Sequence, residues 1–228
     1  MAPDGTQARR TALEAAEAKG NALFDAIEAR GLVVPGKTET ELDRDIFELA
    51  RDSFGVTQHW HKRIVRTGAN TLCVFADLPD VRTIEADDTV YLDLGPVFGE
   101  WEADLGRTYA LGPDPDKKRL VADLPRLFDA LQAQYRATPD ITGAALYAYA
   151  RHIAKEAGWT FGGQIAGHTV GEFPHAKVPG DRKLQLIAPV NTRPMSDPDG
   201  NGNTRFWIGE IHLVDRARNF GGFYERLL

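Results

Sequence analysis

The chain has 228 residues, 43% hydrophobic and 26% charged, the proportions of a soluble globular protein long enough to bury a substantial core. Its net charge of −6 argues against a nucleic-acid partner, and a lone cysteine, Cys73, excludes an internal disulfide and fits a cytoplasmic location. No run approaches the roughly 20 apolar residues of a membrane span, and the opening MAPDGTQARR lacks the apolar core of a secretory signal.

Residues 7–30 read as a helix, with Leu13, Ala16, Leu23 and Ile27 near helical spacing. Gly31 and then Pro35 and Gly36 end it. A second helix follows, opened by a capping-box pair, Thr38 and Glu41, striped by Leu42, Ile46, Leu49 and Ala50, and closed by Gly55. From 57 to 111 the pattern turns to short β-like runs: QHWHKRIVRT, LCVFA, TVYLDLG and EWEADLGRTYAL. Two more helices are expected at 114–136 and 141–157, the basic DKKRL at 116–120 being a solvated helix start. Strands return around 183–190, 205–214 and 221–227. Helices segregate from antiparallel hairpins, with no repeat or flexible linker, so one α+β domain over 1–228 is expected.

Two hairpins carry paired acids. A turn centred on Phe98 and Gly99 would set Asp93 directly against Asp104, Leu92 against Leu105 and Leu94 against Ala103. Like charges facing each other destabilise a ladder. They are either solvated on an outer face or held around a cation. A turn at 216–219 would likewise set Glu210 against Glu225, Ile211 against Tyr224 and His212 against Phe223. Between the two pairs lies GGQIAGHTVGEFPHAK, with His168 and His175. A histidine beside glycines is often merely packed. Four acids and an imidazole together could hold two divalent ions such as Mn²⁺, Fe²⁺, Co²⁺ or Zn²⁺.

These residues resemble the pita-bread metallopeptidases, the family of methionine aminopeptidase, aminopeptidase P, prolidase and creatinase. The first family motif matches Asp93, Gly95, Gly99, Asp104 and then Arg107 and Thr108. The Gly-His-x-x-Gly motif matches Gly167, His168 and Gly171, and a second family histidine matches His175. LVVPGKTETEL also looks like the family's segment before its second helix. The resemblance implies a pseudo-two-fold antiparallel sheet flanked by helices, with Asp93, Asp104, His168, Glu210 and Glu225 as ligands of two divalent ions. By the same analogy Asp104 and Glu225 would bridge the ions, and a bridging hydroxide would attack a peptide bond near a free N-terminus. Glu210 would shuttle the proton and His175 would donate to the oxyanion. A homodimer is expected on the same ground. In size the chain is closer to bacterial methionine aminopeptidase than to prolidase or creatinase with their extra N-terminal domain.

Two features depart from the family. The histidine expected about 18 residues before the first Asp, which contacts the scissile amide, falls at Phe75, and the usual Glu-Pro is Glu210 followed by Ile211. His59 and His61, two apart, would share a strand face. They either contact substrate in place of the missing histidine or lie on a surface strand with Trp60 inward. Trp101, Trp207, Phe206 and Phe220 either line a substrate pocket or belong to the core. DPDGNG at 197–202 reads as a turn, because Ile208 stands where an EF-hand needs Glu. The leading expectation is an aminopeptidase or Xaa-Pro-type peptidase. Alternatives are a creatinase-like enzyme on a non-peptide C–N bond and a metal-free protein-binding member of the fold.

Overall fold

A computed structural model describes residues 5–228. Residues 1–4, within the expected domain, lie outside the described part. The elements in order are α1 (Gly5–Ala29), α2 (Glu39–Phe54), β1 (Ile64–Thr67), β2 (Thr89–Leu94), β3 (Val97–Phe98), β4 (Trp101–Glu102) and β5 (Leu105–Ala110). Then come α3 (Pro115–Ala137), α4 (Gly143–Glu156), β6 (Thr160–Phe161), β7 (Gly167–Val170), β8 (Phe206–Asp215) and β9 (Phe220–Leu227). All four helices match their expected positions. The α2 cap forms in both directions: Glu41 N–H donates to Thr38 Oγ1 at 3.2 Å and Thr38 N–H to Glu41 Oε2 at 2.8 Å. Asp114 caps α3 with Pro115 in its first turn, and Thr142 caps α4.

The main sheet runs β1-β2-β5-β9-β8-β6, antiparallel throughout, with β7 also on β8. Alternation gives it two faces. Leu92, Leu94 and Leu105 pack under α1 and α2, while Ile211, Leu213 and Phe220 pack under α3 and α4. Their neighbours Tyr91, Asp93, Glu210 and His212 therefore face the other way, into an open cavity. Both halves bury their apolar stripe on one side and leave the acids together on the other.

The β8–β9 register is as expected: Glu210 pairs with Glu225, Ile211 with Tyr224 and His212 with Phe223. The first hairpin differs. Its turn holds Gly99 and Glu100, since Phe98 pairs with Trp101. Hence Asp93 opposes Gly106, Leu92 opposes Arg107 and Leu94 opposes Leu105, and Asp104 precedes the main ladder. Two expected strands also fail and a third forms only in part. Residues 182–185 form a 3-10 turn, and Ile187 makes only two backbone bonds to the 166–167 backbone. LCVFA follows another 3-10 turn, Gly68–Leu72, and lines the cavity as a loop. QHWHKRIVRT yields strand only from Ile64. DPDGNG is a turn, with Asp199 Oδ1 accepting from the N–H groups of Asn201 and Asn203.

Candidate metal centre

Asp93 on β2, Gly106 on β5, Glu225 on β9 and Glu210 on β8 form one row of direct partners across the sheet. Directly opposed side chains share a face. Gly106 carries no side chain in that row, and the Phe223 ring takes its place, since a Cβ there would meet Phe223 Cδ1 at 2.5 Å. Asp104, two residues before Gly106, is only 2% exposed. His168 joins from the far side: β7 pairs it with Ile208, two residues from Glu210 on the same face of β8.

The polar atoms converge. His168 Nε2 lies 3.1 Å from Asp104 Oδ2, 3.6 Å from Glu225 Oε1 and 3.8 Å from Glu210 Oε1. His61 Nε2 lies 3.2 Å from Asp104 Oδ1 and 3.4 Å from Asp93 Oδ1. Among the described residues two trios bring potential ligand atoms within 4.8 Å of one another: His61, Asp93 and Asp104, and Asp104, His168 and Glu225. Asp104 belongs to both.

The electrostatics are those of crowded, dehydrated charge. Burial pushes Asp93 up to about 6 and Glu210 up to about 7, and raises Glu225 well above the usual carboxylate range, with the neighbouring acids adding to it. Burial also opposes charge on Asp104, but the adjacent imidazoles of His168 and His61 hold it at about 2. Burial likewise works against charge on the two imidazoles. The acids outweigh it, lifting His61 to about 9 through Asp93 and Asp104, and His168 well above its ordinary value. Asp104 Oδ2 is buried without a well-directed hydrogen bond, although His168 Nε2 is near. Four buried carboxylates, two imidazoles and an orphaned oxygen fit a divalent-cation centre better than a self-contained hydrogen-bond network.

The centre forms one wall of a cavity of about 310 Å³. Ile64, Tyr91 and Phe223 make a buried apolar wall beside it, and Phe75, 52% exposed, stands at the rim with its ring 5.7 Å from that of His61. Of the other residues expected to contact substrate, His61 lines the cavity, while His59 and Trp101 lie outside it. The chain bends at Trp60 and His61, so His59 and His61 share no strand face; His59 sits 6.4 Å from the Phe47 ring, outside the cavity. Trp101 packs with Leu13, Val170 and Phe206, while Trp207 and Phe220 are core under α3 and α4.

His175 is near the centre but not open to the same cavity. Its ring is parallel to that of His168 at 6.0 Å, with the Trp60 ring edge-on to both. Its Nδ1 donates to Glu102 Oε2 at 2.5 Å, and Glu102 Oε1 accepts its backbone N–H at 3.0 Å. Glu102 was missed from sequence. Its signal was position: it shares alternation with Asp104, two residues on, and is almost wholly buried.

The class this describes is a helix-flanked antiparallel sheet with an acid-and-imidazole centre on its free face. A profile of Metallopeptidase family M24 matches residues 10–197, and the chain belongs to that family. It is 30% identical over 154 residues to an Xaa-Pro dipeptidase of Lactobacillus helveticus, covering 67% of this chain and 39% of that one. It is 29% identical over 162 residues to an Xaa-Pro dipeptidase of Pyrococcus furiosus, covering 69% and 43%. The chain thus spans about two fifths of the length of these relatives. The solved prolidase from Pyrococcus furiosus superposes with a TM-score of 0.70 at 20% identity, over 97% of this chain and 60% of that one. An X-Pro aminopeptidase from Thermotoga maritima gives 0.72 at 21%, over 96% and 57%. The fold is the pita-bread fold that the motifs implied.

Proposed function

We propose that residues 1–228 form the catalytic domain of a two-ion metallopeptidase that cleaves Xaa-Pro or related peptide bonds near a free N-terminus. The convergence of Asp93, Asp104, His168, Glu210 and Glu225 at one wall of a largely apolar cavity carries this reading. The similarity to Xaa-Pro dipeptidases supports the substrate class. These five residues would hold two ions of Mn²⁺, Co²⁺, Fe²⁺ or Zn²⁺, with Asp104 shared. Bound ions would supply Lewis acidity toward the scissile carbonyl and toward a water molecule at neutral pH.

The chain's own residues do the rest. Glu210 is the more accessible acid of its pair, its side chain 13% exposed against 3% for Glu225, so it takes the proton from the attacking water and returns it to the leaving nitrogen. Ile64, Tyr91 and Phe223 receive an apolar side chain or a pyrrolidine ring and exclude water. Phe75 covers that ring from the rim. His175, with Nδ1 committed to Glu102, offers Nε2 to the carbonyl oxygen once Trp60 yields.

A panel of Xaa-Pro dipeptides, longer Xaa-Pro peptides, Met-initiated peptides and creatine, assayed after reconstitution with each metal, tests this. Hydrolysis of the Xaa-Pro set is expected, and Glu210→Gln should reduce it by about 10²–10⁴-fold. Turnover of creatine alone would move the assignment to non-peptide C–N bonds. Among the described residues no helix is long and apolar enough to cross a membrane. A cytoplasmic homodimer completes the proposal, checked by fractionation and sedimentation.

A further inference from the structure

We infer that His61 is a sixth ligand of this centre, binding through Nε2 the ion held between Asp93 and Asp104. The inference rests on the two-ion reading above and extends it to a residue outside the five-ligand set.

Three observations carry it. The first is spacing. His61 Nε2 is 3.2 Å from Asp104 Oδ1 and 3.4 Å from Asp93 Oδ1. Ligand atoms each about 2.1 Å from a common ion stand roughly 3.0–3.5 Å apart.

The second is a repeated device. His61 Nδ1 bonds the backbone carbonyl of the next residue, Lys62, at 2.7 Å, and His168 Nδ1 bonds the carbonyl of its next residue, Thr169, at 2.8 Å. An Nδ1–H donated to a carbonyl fixes the tautomer whose lone pair is on Nε2, the form that binds a cation. Both rings are therefore set in the same way, one on each side of Asp104. With Nδ1 committed to Lys62 and Nε2 to the carboxylates, His61 has no nitrogen left for a substrate amide. The same contacts argue against its acting as a substitute for the histidine absent at Phe75.

The third is confinement. The His61 side chain is 5% exposed, and the Trp60 ring packs edge-on at 4.4 Å. A Cβ on Gly95 would lie 2.4 Å from His61 Nε2 and 2.6 Å from Trp60 Cδ1. The missing side chain at 95 is what lets the ring reach the acids.

With His61 bound, each ion has one imidazole. A nitrogen at both positions turns the pair away from oxygen-preferring Mn²⁺ and toward Zn²⁺, Co²⁺ or Fe²⁺.

The test is zinc-edge X-ray absorption on the zinc-loaded protein, with zinc binding followed by calorimetry. Wild type, His61→Ala and a His59→Ala control are compared. The wild type should show one imidazole per zinc ion. His61→Ala should show half as many and lose affinity for one ion by about 10–100-fold. His59→Ala should match the wild type. Two ions in a wild type with only half an imidazole per zinc would overturn the inference and leave the two-ion reading standing. So would unchanged zinc affinity in His61→Ala, even if that variant lost activity. A wild type that takes up no zinc would overturn both. Should His61→Ala fail to fold, the wild-type imidazole count decides.

Discussion

The two acid-bearing hairpins reach the same cavity wall by different means. In β8–β9 the ladder runs unbroken through eight residue pairs, and Glu210 and Glu225 are ordinary partners within it. In the first hairpin the ladder stops at the pair Leu94 and Leu105 and resumes at Val97 and Glu102. Gly95, Pro96, Ala103 and Asp104 occupy the break, with Ala103 N–H donating to Pro96 O at 2.9 Å. A regular ladder holds a carboxylate at a fixed height over the sheet. A break frees Asp104 from that constraint, and its two oxygens meet both imidazoles. The regular hairpin provides a pair, and the broken one provides the residue both trios share.

The largest expected effect follows from that sharing. Asp104→Ala should abolish both ion positions and lower kcat/KM by on the order of 10³-fold or more, read by elemental analysis and peptide hydrolysis. Loss of a single ion would show that the two trios are independent. Less severe is His175→Ala, which should lower turnover by about 10–100-fold while the ion content stays that of the wild type. If ions are lost with His175, the ring's role is to hold the centre and not to contact substrate.

Gly106→Ala probes the close packing of Phe223 over Gly106. Its Cβ would meet Phe223 at 2.5 Å and Glu225 Cβ at 3.2 Å, so a stability loss of about 1–3 kcal/mol is expected by denaturant unfolding, with weaker ion binding. A neutral result would mean that the row is less tightly packed than these distances indicate.

The smallest effect is a pH slope. In the metal-free protein Asp93, Glu210 and Glu225 stand above their ordinary carboxylate values, and His61 and His168 above theirs. A group raised on folding stabilises the fold fully below its unfolded pKa and loses that contribution as pH climbs through the folded value. The window for Glu210 runs from 4.5 to about 7, and for His61 from 6.5 to about 9. Asp104, depressed from 3.8 to about 2, acts in the opposite sense only at lower pH. The metal-free Tm should therefore fall between pH 5 and 9 by a few degrees, on the order of one to two kcal/mol. Saturating Mn²⁺ should flatten or reverse that slope, because ion binding displaces protons. A flat metal-free profile would contradict the strained electrostatics described for the centre.

The contrast between hairpins also explains what could be read from sequence. The β8–β9 register was legible because alternation ran unbroken on both sides of one turn, with Asn219 in the left-handed region at φ 56°. In the first hairpin the turn was assigned one residue early, at Phe98 and Gly99 instead of Gly99 and Glu100. That small error moved every partner by two and set Asp93 opposite Asp104. The correct partner is Gly106, and the Gly95-Pro96 pair is the sequence signal of the break that this register overlooks. Residues 183–190 look like a strand because Leu184, Leu186, Ile187 and Val190 are apolar, yet residues 182–185 curl into a 3-10 turn and the rest forms bends and a turn with one isolated bridge. His59 and His61 were read as a strand pair, and the bend at Trp60 separates them. The residue types of the centre were thus visible in the chain. The tautomer of His61, the Glu102–His175 pair and the packing of Phe223 over Gly106 exist only after folding.

The most direct test of the central claim is the ion count of the wild-type protein after reconstitution with Zn²⁺ and desalting. Two ions per chain are predicted, since His61, Asp93 and Asp104 offer one site and Asp104, His168 and Glu225 an overlapping second. A chain that retains none, while folded by circular dichroism, would contradict the account and make the buried acids a structural network.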